Sequence, residues 1–385
     1  MNEPIPLARP DLGPREEELL LEVVRSGALS LGPKLEQFEH DFSDWIDGDV
    51  YAIAVSSGTA ALHLGVRAEG WSAGDEVITS SLTFVASANC LLYEGVKPVF
   101  CDIDPVTLTM DTEAVAAAVG ERTAGILPVH IFGYPADLPA LRKIASEQDL
   151  GMLEDACQAL GAHDSTGKKI GTDGNLATFA FYANKQMTTG EGGILVSPDE
   201  EVAEHVKSER NQGRAPDMDQ VEHDRLGFNY RLTDLHAAIG IAQLERLDEM
   251  LNARENVAAL YRERLTQLGA APAGEQGNHE ILLPCENRGD ERRSWFVFCV
   301  QLPEGADRDG VIAALGKNGI ASKAYLPCVH LLPPYRERFD FNGGEFPVAE
   351  RVAERSLALP FFTAMTESQV DRVCTALGEA LGIQP

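Results

Sequence analysis

The sequence predicts an α/β protein: a mostly parallel sheet sandwiched by helices, followed by a smaller C-terminal α+β unit. Three observations carry this. Short apolar runs alternate strictly with helical patterns between residues 51 and 155, the mark of a parallel sheet covered on both faces. An Ala-, Gly- and Pro-rich stretch at residues 270–278 reads as a linker. Beyond it, strands and helices follow without that alternation. The chain divides accordingly into a large unit, residues 1–250, and a small unit, residues 251–385.

Taken in order, residues 14–26 and 33–45 read as helices, the second opening at Gly32-Pro33, a pair suited to a helix start. Tyr51-Ala52-Ile53-Ala54-Val55 is a buried strand that runs into Ser56-Ser57-Gly58-Thr59, and a helix begins at Ala60. A strand, a small-residue turn and a helix start aim free N–H groups and a positive dipole end at one point, a natural site for phosphate. Strands follow at residues 76–79, 98–101, 125–129 and 151–155, with helices at 84–93, 114–119 and 138–147 between them. Functional residues in such sheets gather at the carboxyl ends of strands. This places Ser57-Gly58-Thr59, His130 and Asp155 together.

Past residue 193, Ile194-Leu195-Val196 is a strand and residues 200–210 a helix. Residues 211–225 are polar and irregular, a loop or lid. A long apolar helix pattern runs from residue 235 to 251, residues 295–300 form a strand, and helices cover 308–318 and 367–381.

The net charge of -28 disfavours nucleic acid and anionic membrane as partners, since both are polyanions. No apolar run is long enough to span a bilayer, and the first residues carry neither a basic region nor an apolar core, so no signal peptide is expected. The seven cysteines are widely spaced with no C-x-x-C pair, which argues against a zinc site or a disulfide framework and for reduced cytoplasmic thiols. Rossmann, P-loop and nucleophile-elbow motifs are absent.

The central feature is Phe179-Ala180-Phe181-Tyr182-Ala183-Asn184-Lys185, followed by small polar residues and glycines up to Gly193. An ammonium between strands is unfavourable unless its charge is removed or paired. A neutral amine that condenses with a carbonyl as a Schiff base fits that setting, and the glycines would let backbone approach a flat ligand. If the partner is pyridoxal phosphate, Gly58-Thr59 offers the phosphate cradle. Asp155 offers the carboxylate that keeps the ring nitrogen protonated, Gln158 a contact for the phenolic oxygen, and Phe84 a cover for the ring face.

Those residues carry a resemblance. The chain resembles the DegT/DnrJ/EryC1/StrS family of pyridoxal-phosphate sugar aminotransferases, of fold type I. The matching pieces are residues 57–63, Thr83-Phe84, Pro128-Val129-His130, residues 154–162, the lysine block, residues 227–234, residues 325–330 and residues 346–350. The resemblance implies that Lys185 is the Schiff-base lysine, Asp155 the ring-nitrogen partner, Gln158 the phenolic-oxygen contact and Phe84 the stacking ring. It implies that Tyr182 lines the site and that Asn229 reaches the phosphate of a neighbouring subunit, making the active unit a homodimer. Arg231, Tyr325 and His330 become candidates for the donor carboxylate and the nucleotide-sugar. The implied reaction moves an amino group from glutamate to a nucleotide-linked ketosugar, first among candidates a 4-keto-6-deoxysugar. A 3-ketosugar, a ketocyclitol, dehydratase chemistry and a non-catalytic cofactor-binding regulator stay open. One departure stands out: many relatives have a serine five residues before the lysine, where this chain has Ala180.

Overall fold

The alternating segments build one seven-stranded sheet in the computed structural model, which describes residues 3–46, 49–215, 222–274 and 281–383. Its strands are β1 (Tyr51–Val55), β2 (Glu76–Ser80), β3 (Lys97–Cys101), β4 (Thr123–Leu127), β5 (Gly151–Asp155), β6 (Leu176–Ala180) and β7 (Gly193–Ser197), in the spatial order β1-β7-β6-β5-β4-β2-β3. From β6 to β3 all neighbours are parallel, whereas β7 is antiparallel to both β6 and β1. The cause is the connection. Every parallel pair needs a crossover, but β6 returns into β7 through the lysine turn alone, which allows only an antiparallel partner.

Alternate side chains on each strand feed opposite cores. Ala52, Ala54, Phe179, Ile194 and Val196 face one layer; Ile53, Val55, Leu153 and Leu195 face the other. In the first layer the helix Pro33–Ile46 sets Phe38 and Phe42 edge-on or tilted against Phe181 and Phe179, with centroids 5.7 and 5.5 Å apart. Each buried phenyl contributes about 1.5–3 kcal/mol.

Three local readings change. The expected helix over residues 235–251 is two helices, Asp234–Leu244 and Leu247–Gln267, which part at Arg246 (φ -127°). There the guanidinium is held by Asp11 and Glu16 at 3.0 and 2.9 Å. Residue 250 thus lies inside a helix. The strand expected over residues 295–300 begins only at Phe298, because the carbonyls of Trp295 and Phe296 turn to Arg254 Nη1 (3.4 Å each) instead of a neighbouring strand. The supposed linker contains β8 (Ala271–Pro272), parallel to β9 (Leu282–Leu283). Residues 275–278 of that stretch, like 216–221 of the polar loop, lie outside the described residues.

With β10 (Phe298–Gln301), β11 (Lys323–Ala324) and β12 (Ser356–Leu359), these form a second sheet in the order β11-β12-β10-β9-β8. Ile5 belongs to the same body. Its N–H donates to the Gly319 carbonyl (2.8 Å), its own carbonyl accepts from Ala321 N–H (3.0 Å), and its side chain is buried in the C-terminal core. Among the described residues no helix is long and apolar enough to cross a membrane.

Candidate active site

A cavity of about 580 Å³ opens where β1, β5 and β6 end, roofed by residues of the second sheet. Of the residues singled out in the sequence it collects Gly58, Thr59, Phe84, Asp155, Gln158, Tyr182, Lys185 and Tyr325.

Lys185 sits in the turn after β6. Its N–H donates to the Tyr182 carbonyl (2.9 Å) and its carbonyl accepts from Arg254 Nη2 (3.1 Å), so the backbone is fixed on both sides. The side chain reaches inward until Nζ lies 4.2 Å from the centre of the Phe296 ring. Burial pulls its pKa below the ordinary lysine value; the negative charge of Asp155 opposes that shift without cancelling it. The amine is therefore poised toward its neutral form.

Asp155, the last residue of β5, is buried. One carboxylate oxygen accepts from the Ser87 hydroxyl at 2.6 Å and the other from the Cys157 N–H at 3.1 Å. Cys157 itself is an unreactive thiol, since burial and then the adjacent Asp155 hold its pKa well above the usual value.

The turn between β1 and the helix Gly58–Ala68 has the anticipated form. Ser57 caps the helix through Ala60 N–H (3.1 Å), and its carbonyl takes Ala61 N–H (3.0 Å). The N–H groups of Gly58 and Thr59, earlier in that first turn, have no acceptor within the helix. Gly58 is required: a Cβ there would lie 2.6 Å from Ala180 Cβ and 3.0 Å from Cys157 Sγ. Gly193 differs from its expected use. A Cβ on it would lie 2.6 Å from the Ser57 carbonyl oxygen and 2.7 Å from Gly58 N, so this glycine admits the β1 turn and not a ligand.

Gln158 Oε1 accepts from the Phe132 N–H (3.0 Å), which leaves the amide NH2 as the donor available to the cavity. Phe84 and Tyr182 are exposed at the mouth.

Four anticipated residues stand apart from the lining. His130 is buried and spent on structure, with Nδ1 accepting from Ala136 N–H (3.0 Å) and Nε2 3.3 Å from Glu154. His330 is likewise buried, 3.0 Å from a Glu350 oxygen. Glu350 and neighbouring Glu345 also accept backbone N–H groups of residues 342–346, so the three form a loop clamp. Arg231 donates to Asn211 at 3.2 Å. Asn229 is exposed.

Three lining or supporting residues went unseen in the sequence. Phe296 was hidden in an apolar run that read as strand. Ser87 lies one helical turn after Phe84, the spacing of a shared face. Lys323 lines the mouth two residues before Tyr325, the spacing of one face of a strand.

The chain matches the DegT/DnrJ/EryC1/StrS aminotransferase family over residues 10–378. It is 38% identical over 380 residues to the GDP-perosamine synthase of Caulobacter vibrioides, covering 98% of each chain. It is 35% identical over 385 residues to the spore coat polysaccharide biosynthesis protein SpsC of Bacillus subtilis, covering 97% of this chain and 96% of the relative. S. venezuelae DesV, solved in complex with a ketimine intermediate, superposes with a TM-score of 0.90 at 32% identity over 100% of both chains. The chain belongs to the DegT/DnrJ/EryC1/StrS aminotransferase family and is an enzyme of amino-group transfer.

Proposed function

We propose that this enzyme transfers an amino group from glutamate to a nucleotide-linked ketosugar, in first place a 4-keto-6-deoxysugar, with pyridoxal 5'-phosphate as its cofactor. The observation that carries the reading is the placing of a buried amine, Lys185, whose pKa burial lowers, in one cavity with the doubly hydrogen-bonded carboxylate of Asp155.

The residues fit the cofactor. Gly58 and Thr59 offer free N–H groups at a helix N-terminus for its phosphate. Asp155 offers a negative charge for the ring nitrogen, Gln158 an uncommitted amide N–H for the phenolic oxygen, and Phe84 an exposed ring at the mouth. Pyridoxal phosphate, when bound, supplies a carbonyl that carries the amino group and a ring that accepts electron density.

The rest belongs to the protein. Lys185 Nζ would be the base that accepts the proton from the α-carbon of the amino donor and holds it for return. A base positioned in this manner contributes roughly 10²–10⁴-fold. Asp155 would hold its charge against the ring nitrogen. Phe296 and Tyr325 close the inner wall against water.

For the acceptor, the nucleotide-sugar name of the 38%-identical relative supports a nucleotide-linked substrate. Its diphosphate needs a cation. Arg231 is engaged by Asn211 and His330 by Glu350, whereas Lys323 lines the cavity with its side chain exposed. Lys323 is the residue we assign to that anion. Asn229, exposed and outside the lining, supports a homodimer in which it serves the neighbouring site. In this reading residues 1–250 hold the cofactor, residues 251–385 cover the substrate, and the enzyme works in the cytoplasm.

The test is incubation of the purified enzyme with glutamate and a panel of nucleotide 4-keto- and 3-ketosugars, followed by product mass. A gain of amine at one ketosugar supports the reading. Loss of water, or no turnover with a cofactor-loaded protein, overturns it.

A further inference from the structure

Asp155 is held by more than its own strand. The Ser87 hydroxyl, fully buried, lies 2.6 Å from one of its oxygens, and the buried Thr83 hydroxyl lies 2.8 Å from Ser87 Oγ. A hydroxyl has one proton to donate. For Ser87 three acceptors are in reach, Asp155 at 2.6 Å, the Thr83 hydroxyl oxygen at 2.8 Å and the Phe84 carbonyl at 3.1 Å. The shortest contact has the length of a charge-assisted O–H···O⁻ bond, so the proton goes to the carboxylate. Thr83 must then donate to Ser87, and the direction of the relay is fixed: Thr83 to Ser87 to Asp155.

The far oxygen of Asp155 takes the Cys157 N–H (3.1 Å). The carboxylate is thus pinned on two sides by donors, one to each oxygen. Its rotation is removed, and the lone pairs not used by these donors are left to the cavity that Asp155 lines. The five residues from Thr83 to Ser87 therefore do two things at once: Phe84 covers the mouth, and the hydroxyls on either side of it hold the carboxylate beneath.

We propose that Ser87, oriented by Thr83, is a positioning residue that holds the Asp155 carboxylate aimed at the ring nitrogen of the cofactor. The inference rests on the reading that pyridoxal phosphate occupies this cavity. Without the Ser87 donor, Asp155 is free to turn from the ring nitrogen or to take its proton; either way the ring holds the proton less firmly and draws electrons less strongly, and proton removal from the donor slows while donor binding is unchanged.

The experiment loads wild type, Ser87→Ala, Thr83→Val and Thr83→Ser with pyridoxal phosphate labelled with ¹⁵N in the ring. It reads the ring-nitrogen NMR shift, the melting temperature of each apoprotein, and kcat and KM for glutamate. Ser87→Ala is expected to move the nitrogen signal toward the unprotonated position and to lower kcat by about 10- to 100-fold, as for loss of a hydrogen bond to a charged group, with KM little changed. Thr83→Val should move the signal in the same direction by less, and Thr83→Ser should restore it. An unmoved nitrogen signal in both Ser87→Ala and Thr83→Val overturns the proposal, whatever happens to stability, because packing alone would alter melting and not ring protonation. Should Ser87→Ala fail to fold, Thr83→Val decides by the same signal. A wild type that takes up no cofactor overturns the parent reading and this one with it, which separates the two failures.

Discussion

The ammonium of Lys185 lies 4.2 Å from the centre of the Phe296 ring, a contact between the lysine turn of the large sheet and the chain just before β10 of the small one. Burial lowers the lysine's pKa despite the neighbouring Asp155 charge. In the unfolded chain the same amine titrates at its ordinary value near 10.5. Between its depressed folded value and 10.5, the unfolded state binds more protons, so this residue makes apoprotein stability rise with pH. Lys185→Met removes the buried charge. The variant's apoprotein is expected to melt higher than wild type at neutral pH, by about 2 °C or more, with the gap closing as pH approaches 10.5. It should also lose transaminase activity outright. Melting curves across pH check the first expectation and glutamate turnover the second.

Gly58 and Ala180 are matched to one another. A methyl group on residue 58 would lie 2.6 Å from the Ala180 Cβ, and such overpacking costs about 1–3 kcal/mol. Gly58→Ala should therefore lower both apoprotein stability and cofactor affinity. Ala180→Ser acts in the opposite sense, adding a hydroxyl beside the helix N-terminus. It is expected to tighten cofactor binding about threefold to tenfold, the effect of one further hydrogen bond. Titration of apoprotein with pyridoxal phosphate measures both.

Lys323→Gln is expected to raise KM for the nucleotide ketosugar about two- to fivefold, as for a solvent-exposed ionic contact, and to flatten the salt dependence of that KM. The KM for glutamate should stay unchanged. Separate measurement of the two half-reactions checks this. A rise confined to glutamate would assign the lysine to the donor's carboxylate instead.

Glu69 lies at the other end of the sheet, in a crevice with Gly151; a Cβ on Gly151 would stand 2.3 Å from its carboxylate oxygen and 3.1 Å from Trp71 Nε1. Burial pushes its pKa from 4.5 up to about 7. A raised carboxyl pKa contributes stability that is complete below 4.5 and lost as pH climbs through about 7. Glu69→Gln should match wild type at pH near 4 and melt a few degrees higher above pH near 7. Parallel melting curves at the two pH values decide it.

Much of this site could be read from the chain alone, because its residues sit at strand ends. Alternation fixed the sheet, the sheet fixed which ends converge, and Gly58, Thr59, Asp155 and Lys185 followed. What stayed hidden depends on long-range pairing. His330 and His130 look like cavity residues until Glu350 and Glu154 claim them. Ser87 is a small helical residue like its neighbours until β5 brings Asp155 to it. Phe296 looks like strand until Arg254 draws the backbone carbonyls away. The split of the 235–251 helix likewise depends on Asp11 and Glu16, far back in the chain. Such partners leave no periodic trace.

The pairing of Ile5 with the chain around Ile320 bears on how the molecule is assembled. Residue 5 is made about three hundred residues before its partners around Ile320, yet its place is in the body that those late residues build. The C-terminal fragment produced alone would lack this bridge and expose the groove that Ile5 fills. Supplying the opening segment as a separate peptide should close that groove, which makes the clasp a practical handle for splitting and reconstituting the enzyme.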